Sequence, residues 1–171
     1  MLFLGKIIAY AGMLEGKEVT WFPSYGAEVR GGTANCTIIV SDELIGSPVV
    51  ANPDILIVMS DASLNRFLPR LERKGLLLFD SSLIKERVTR ADICIVGVPA
   101  TEIARKIGDT KSANMVLLGV LIAETQILKD DLVLQAVNSL MPDRKKRLAE
   151  NNKKAIKEGI RYIEDKKSPN R

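Results

Sequence analysis

The sequence predicts an α/β domain of three layers, in which helices cover both faces of a mixed β-sheet. Two strand-like stretches lead the chain, short apolar runs then alternate with helical segments, and the rest is helical, the order typical of a mixed α/β sheet. Apolar residues make up 46% of the sequence and aromatic residues only 5%, so the core must be aliphatic. The length of 171 residues favours one domain over residues 1–171, with a frayed tail at 165–171.

The first third of the chain predicts a helix followed by two strands. Apolar residues recur at helical spacing from Leu2 to Leu14, and Gly16 follows as a helix stop. Lys17–Phe22 has strand character and is expected to end at Pro23. Ala34–Val40 is rich in β-branched residues and predicts the second strand.

The middle of the chain predicts strand–helix–strand units. Asp54–Met59 is an acid followed by a continuous apolar run, as expected of a strand buried on both faces. Ser60 or Asp61 is expected to cap a helix that runs to about Lys74, and Pro69 should kink or shorten it. Two further short strands are predicted at Leu76–Phe79 and Asp92–Val98.

Four helices are predicted after Val98. The first, Ala100–Ile107, is short and follows Pro99. The second, Ser112–Ile127, is almost entirely apolar and should be buried on most sides. The third is expected to start with a cap at Asp130 or Asp131 and end near Met141, and the fourth is a long amphipathic helix capped by Asp143.

The composition removes several classes of autonomous enzyme. Histidine, the commonest general base and metal ligand, does not occur in the sequence. Cys36 and Cys94 are far apart and lie in apolar runs, so we expect buried free thiols and no zinc or iron–sulfur ligands. We assign no catalytic residue and no metal ligand to this chain. Unpaired cysteines favour a reducing, cytoplasmic compartment.

The net charge of +4 is concentrated at the C-terminal end. Residues 143–171 contain eleven Lys/Arg and five Asp/Glu, whereas the preceding residues carry a net charge of −2. Tyr162 is the one aromatic residue within residues 143–171, which disfavours nucleic acid as a partner. A solvated helix face is the simpler interpretation of these charges, and a docking surface is the alternative. No apolar run reaches the length of a membrane span, and we expect no membrane partner.

The most informative stretch is the loop Pro23–Thr33 between the two predicted strands. Its glycines suit unusual backbone conformations, and its aromatic, acidic and basic side chains are those of a binding loop. Glu28 and Arg30 either form an ion pair within the loop, or Arg30 binds a carboxylate or phosphate of a ligand or another subunit. The candidate binding or interface residues are Ser24, Tyr25, Gly26, Glu28, Arg30, Gly31 and Gly32.

Other candidates have plainer interpretations. The turn Gly97–Thr101 lies between a predicted strand and helix and could offer N–H groups to an anion, but a structural turn is the simpler interpretation. Asn114 and the pair Asn151-Asn152 are expected to cap helices or tie them to a loop. A dinucleotide fingerprint, G-x-G-x-x-G, does not occur in the sequence.

The segment PSYGAEVRGGTANCTIIVSDELIGSPVV, residues 23–50, resembles the gamma subunit of 2-oxoacid:ferredoxin oxidoreductases. The resemblance continues through NPDILIVM at 52–59, VPATEIARKIG at 98–108, SANMVLLGVLIA at 112–123 and NNKKA at 151–155. It covers nearly the whole chain and implies the fold of the gamma domain of pyruvate:ferredoxin oxidoreductase.

The resemblance implies a complex that oxidatively decarboxylates a 2-oxoacid with coenzyme A to acyl-CoA, CO2 and reduced ferredoxin. Such a complex uses thiamine diphosphate, Mg2+, iron–sulfur clusters and coenzyme A. The implied partners are alpha, beta and ferredoxin-like delta subunits, with ferredoxin as electron acceptor. The gamma chain itself is expected to bind none of the cofactors alone, to be inactive alone, and to support assembly or the approach of coenzyme A.

Family members begin with a strand and a G-x-G-G-Q-G turn before the first helix, and this sequence starts at that helix. We therefore expect an N-terminal strand and a glycine-rich turn to be missing from the chain. The strings GGTANCT and SDELIGSP, within residues 31–48, resemble gamma subunits of the 2-oxoglutarate or branched-chain type more than those of the pyruvate type. We expect 2-oxoglutarate as the substrate of the complex, with pyruvate or a branched-chain 2-oxoacid as the alternative. Two rival hypotheses are a stand-alone module that binds coenzyme A or a nucleotide, and a purely structural assembly subunit.

Overall fold

The computed structural model describes residues 1–24 and 34–168. These residues form six α-helices and five strands, which confirms the predicted α/β class. In chain order the elements are α1 (Leu2–Leu14), β1 (Glu18–Ser24), β2 (Asn35–Ser41), β3 (Ile55–Val58), α2 (Asp61–Phe67), β4 (Leu76–Asp80), β5 (Cys94–Val98), α3 (Ala100–Lys106), α4 (Ala113–Thr125), α5 (Asp130–Leu140) and α6 (Lys146–Lys167).

The strands form two sheets within the described residues, where we expected one mixed sheet. β1 and β2 are an antiparallel pair, and β3, β4 and β5 form a parallel sheet in that order. Parallel pairing joins Ile55 to Leu76 and Leu76 to Cys94 at the first rung. The antiparallel pair packs on α1 instead of joining the parallel sheet.

Helices cover both faces of the parallel sheet. Successive side chains of each strand point to opposite faces, so each strand contributes to the packing on both sides. On β4, Leu78 points into the large core with α1 and α4, whereas Leu77 points into a smaller core with Leu64 of α2. Both leucines are completely buried. The three-layer arrangement predicted from the sequence is therefore present around β3, β4 and β5.

Most helix boundaries follow from local sequence signals. The Ser60 hydroxyl accepts a hydrogen bond from the Ser63 N–H and caps α2, as predicted. The helix ends at Phe67, and Pro69 lies in a short 3-10 turn, Leu68–Arg70, so the proline shortens the helix. Gly16 has a φ of +80°, which explains why α1 stops there.

The predicted starts of α5 and α6 and the predicted frayed tail differ from the structure. Asp130 and Asp131 lie in the first turn of α5 and do not cap it, and the cap residue is Lys129. A carboxylate in the first turn still interacts favourably with the helix dipole. Asp143 begins a 3-10 turn, and α6 starts three residues later. Residues 165–167 belong to α6, where Lys167 forms an ion pair with Glu124.

Helices α4 and α6 cross so closely that their backbones leave no room for a side chain at the point of contact. A Cβ atom on Gly119 would lie 2.0 Å from the carbonyl oxygen of Ile156, and a Cβ on Gly159 would lie 2.1 Å from that of Val116. Each helix therefore uses one glycine to admit the backbone of the other. Because α4 is buried along nearly its whole length, this crossing fixes the centre of the domain.

Replacing Gly119 by alanine is expected to destabilise the fold strongly. The added methyl overlaps a backbone carbonyl, so α4 and α6 must separate and lose packing. We expect a loss of about 3 kcal/mol or more in unfolding free energy, measured by urea titration. For a chain of this size that corresponds to a fall in Tm of roughly 6–12 °C.

Gly46→Ala is the matched control, because a Cβ there meets nothing within 4 Å. It should leave the unfolding free energy unchanged or slightly higher, since alanine restricts the unfolded chain. Equal stability of Gly119→Ala and Gly46→Ala would contradict the packing described for α4 and α6.

Candidate functional site

The candidate loop is carried by the hairpin formed by β1 and β2. Seven residue pairs align the strands, from Glu18 with Ser41 to Ser24 with Asn35. The Ser24–Asn35 pair is the last rung, so it forms the base from which residues 25–33 continue. Of the predicted site residues, Ser24 is described and is exposed. Those that lie outside the described residues, and stay predictions, are Tyr25, Gly26, Glu28, Arg30, Gly31 and Gly32.

The prediction that the first strand ends at Pro23 was wrong. β1 continues through Pro23, which pairs with Cys36, and ends at Ser24. Proline lacks a backbone N–H and is tolerated at the edge of a sheet. Each strand of a two-stranded hairpin has a free edge, so Pro23 fits where a central strand would exclude it.

Two glycines of α1 let the hairpin approach the helix closely. A Cβ on Gly5 would lie 2.6 Å from Cys36 Sγ and 3.1 Å from Trp21 Nε1. A Cβ on Gly12 would lie 2.9 Å from Val19 Cγ2. Gly5 and Gly12 are seven residues apart, or about two helical turns, so they lie on one face of α1. That spacing was the signal in the sequence for this contact, and it went unrecognised there.

The two faces of the hairpin differ in what they contact. Trp21 and Cys36 are on the face that meets α1, and the Lys6 ammonium lies 4.9 Å from the centre of the Trp21 ring. By alternation Phe22 is on the opposite face, and 51% of it is exposed. The hairpin is thus fixed to the core by one face and leaves an aromatic side chain open on the other.

The cysteines are less buried than the sequence suggested. Cys36 is half-buried and Cys94 is exposed, and both are free. Cys94 is exposed because β5 is an edge strand of the parallel sheet. Burial raises the pKa of the Cys36 thiol, and the neighbouring Trp21 indole N–H, which favours the thiolate, offsets only part of that rise.

The turn Gly97–Thr101 is occupied by a side chain of the protein itself. The Asp80 carboxylate is completely buried and accepts hydrogen bonds from the Thr101 N–H at 3.1 Å and the Thr101 hydroxyl at 2.5 Å. Its second oxygen accepts from the Ser82 N–H at 2.9 Å. Asp80 therefore joins the end of β4 to the start of α3, and the structural interpretation of this turn is confirmed.

Asn151 links α6 to the loop before α4. Its side-chain N–H donates to Asp109 Oδ2 at 3.2 Å, as the sequence suggested for one of the paired asparagines. Asp109 also caps the 3-10 turn Thr110–Ser112 by accepting from the Lys111 N–H. These polar groups hold elements together and are not arranged around an open site.

Two clefts of the described surface lie away from the hairpin strands. One of about 420 Å³ is lined by α5, α6 and the turn that joins them. Another of about 380 Å³ is lined by α3, α6 and Ile107. Residues 1–24 and 34–168 contain no cluster of three or more acidic or cysteine side chains that could hold a metal ion. No helix in these ranges is long and apolar enough to cross a membrane.

A family model described as pyruvate ferredoxin/flavodoxin oxidoreductase matches residues 1–162. The chain belongs to this family. The relative VorA, a ketoisovalerate oxidoreductase subunit of Methanothermobacter thermautotrophicus, is 40% identical over 123 residues, which are 72% of this chain and 25% of VorA. This chain therefore spans about a quarter of the length of that relative.

A second relative of the family is closer to this chain in length. KorC of Archaeoglobus fulgidus, a 2-oxoglutarate synthase subunit, is 35% identical over 159 residues, which are 91% of this chain and 78% of KorC. The crystal structure of a keto/oxoacid ferredoxin oxidoreductase gamma subunit from Geobacter sulfurreducens has a TM-score of 0.80 and 26% identity. The matched region covers 94% of this chain and 89% of that subunit. The gamma-subunit resemblance read from the sequence is confirmed.

The two thiols should react with alkylating reagents at different rates in the folded protein. The thiolate is the reactive form, and the raised pKa of Cys36 lowers the fraction of thiolate at neutral pH. Partial burial of Cys36 also limits the access of the reagent to the sulfur. We expect iodoacetamide to modify Cys94 first and Cys36 much more slowly at pH 7.5, as measured by peptide mass spectrometry. Raising the pH toward 9 should accelerate the Cys36 reaction.

A Cys94→Ser variant should retain only the slow reaction, and unfolding in urea should restore ordinary reactivity to Cys36. Equal rates for the two thiols in the native protein would contradict the packing of Cys36 against Gly5 and Trp21.

Proposed function

We propose that this chain is the gamma-type component of a complex that oxidatively decarboxylates a 2-oxoacid with coenzyme A and reduces ferredoxin. The single observation that carries the proposal is the family match over residues 1–162. The fold supports it, because the described residues adopt a fold similar to that of a gamma subunit. The P-S-Y-G-A-E-V-R-G-G string occupies residues 23–32 of the sequence and starts at the end of β1.

The role we propose for the chain is accessory. The sequence contains no histidine, and among the described residues the fully buried carboxylate, Asp80, accepts three hydrogen bonds, two of which join β4 to α3. The two clefts described above are about half open to solvent, and no acidic or cysteine cluster in residues 1–24 and 34–168 fits a metal ion or an iron–sulfur centre. Thiamine diphosphate, Mg2+ and iron–sulfur clusters are therefore assigned to partner subunits, and the chain alone should be inactive.

The loop after Ser24 is proposed as the surface that meets alpha and beta subunits or coenzyme A. Its base is anchored, because Gly5 and Gly12 seat the hairpin on α1 and the Ser24–Asn35 rung closes the ladder. A rigid base under a polar, glycine-rich loop is the usual arrangement of binding loops. In this proposal Tyr25, Glu28 and Arg30 supply the contacts.

For the substrate, 2-oxoglutarate is the first candidate and ketoisovalerate the second. The segment GGTANCT of residues 31–37 resembles subunits of the 2-oxoglutarate or branched-chain type more than those of the pyruvate type. KorC, at 35% identity, is named as a 2-oxoglutarate synthase subunit. VorA, at 40% identity, is named for ketoisovalerate. We also propose a cytoplasmic location, because free Cys36 and Cys94 suit a reducing compartment.

Reconstitution tests the proposed function. The full chain is co-expressed with the alpha, beta and delta subunits of its own organism, and ferredoxin reduction is measured with coenzyme A and each 2-oxoacid. We expect activity only from the assembled complex and none from this chain alone. Failure to assemble would refute the proposal, and coenzyme A binding by the isolated chain in calorimetry would favour a stand-alone binding module.

Arg30→Ala is expected to weaken assembly or turnover while the fold stays intact. A guanidinium that binds a carboxylate or phosphate across an interface leaves that anion unpaired when it is removed. We expect a loss of about 2 kcal/mol or more, roughly thirtyfold in affinity or in kcat/KM, measured on the reconstituted complex.

Arg87→Ala is the control, since Arg87 is exposed and far along the chain from the hairpin. It should assemble and turn over like the wild type, and both variants should melt at the wild-type temperature. A large fall in Tm for Arg30→Ala would instead assign Arg30 a structural role within the loop.

A further inference from the structure

The N-terminal end of α6 and the turn before it form a compact group of exposed cations. Arg144, Lys145, Lys146 and Arg147 follow one another in the sequence, and all four are exposed. With Asp143 counted, residues 143–147 still carry a net charge of +3. We call the four residues Arg144–Arg147 the basic segment.

The basic segment continues along the outer side of α6. With 3.6 residues per turn, Arg147, Lys154 and Lys157 lie within about 80° of one another around the helix axis. All three are exposed, and they lie opposite the side that packs on α4. Glu150 and Glu158 are exposed on the same side of the helix, so the excess of positive charge is greatest at the basic segment.

The protein does not neutralise these cations within its described side chains. The ion pairs of α6 join Lys153 to Glu150, Arg161 to Asp165 and Lys167 to Glu124. None of the described pairs involves the basic segment, Lys154 or Lys157. Two of the three pairs lie in the last two turns of the helix, so the excess positive charge remains at its beginning.

The position of the basic segment opposes the stability of the isolated helix. The N-terminal end of an α-helix carries a partial positive charge, so cations there are unfavourable and carboxylates are favourable. The first turn of α6 contains no acidic residue. Negative charge supplied from outside the chain would relieve this repulsion.

We propose that the basic segment, with Lys154 and Lys157, docks an acidic protein surface, that of another subunit of the assembled oxidoreductase. The inference rests on the proposed function, which makes the chain one component of a complex. Close complementary charge across an interface speeds association and fixes the orientation of the partner.

Two other classes of anionic partner fit the described surface less well. An amphipathic helix binds a lipid surface through its apolar face, but that face of α6 is buried against α4 through Ile156 and Gly159. Single-stranded nucleic acid is bound by stacking on aromatic rings. The aromatic ring of α6, Tyr162, is covered by Lys166, whose ammonium lies 5.1 Å from the ring centre.

The test uses the Lys145→Glu/Arg147→Glu double variant in the full chain, co-expressed with the other subunits. Lys85→Glu/Arg87→Glu is the matched control, because it makes the same change in net charge at two exposed positions between β4 and β5. The dissociation constant for assembly is measured for both variants and the wild type at salt concentrations from about 0.05 to 0.5 M.

We expect the Lys145→Glu/Arg147→Glu variant to assemble at least about tenfold more weakly than the wild type at low salt. The difference should shrink at high salt, and the control should assemble like the wild type. The Tm of the variant alone should be no lower than that of the wild type, since it places carboxylates at the start of a helix. Weaker assembly with unchanged or higher stability separates docking from a structural role.

Equal assembly of the two variants, while the wild type assembles, would overturn the docking inference and leave the proposed function standing. Failure of the wild type to assemble would overturn both. The wild type could instead bind a short DNA duplex or phosphatidylserine vesicles, with the variant losing this binding while its assembly is unaffected. That result would identify nucleic acid or a lipid surface as the partner of the basic segment instead of an acidic protein.

Discussion

The structure depends on the backbone-to-backbone crossing of α4 and α6. Gly119 admits the carbonyl of Ile156, and Gly159 admits the carbonyl of Val116. Because α4 is buried on nearly all sides, it must be covered by α6 on one side while α3, α1 and β4 contact it elsewhere. The hairpin rests on α1, so its position is set by this same core. α6 uses its apolar face in the crossing, and this leaves its charged face, with the basic segment at its start, on the outside.

Local signals were sufficient to predict the elements of this framework from the sequence. The apolar run Met115–Ile122 marked α4 as a buried helix, and the Ser60 cap and Pro69 gave the limits of α2. What the sequence could not give was the environment of single residues. Cys94 lies in an apolar run but is exposed, because β5 is at an edge. The need for Gly159 depends on a carbonyl of another helix, which no local pattern encodes.

The candidate site was predicted only as a sequence string, and the described residues supply its support. Ser24 and Asn35 close the hairpin at the base of the loop, while the residues expected to make contacts lie in 25–33. Pro23 was expected to end the strand because proline breaks central strands, yet an edge strand accommodates it. The family match over residues 1–162 supports the proposal that this loop belongs to one component of a larger complex.

The central claim is that the hairpin end is a contact surface within a larger assembly. Amide hydrogen exchange, measured by mass spectrometry on the free chain and on the reconstituted complex, tests it most directly. The account predicts slower exchange on assembly in peptides covering residues 18–41, with α4 and its crossing with α6 protected equally in both states. Unchanged exchange across residues 18–41 in a complex that forms and turns over would contradict it.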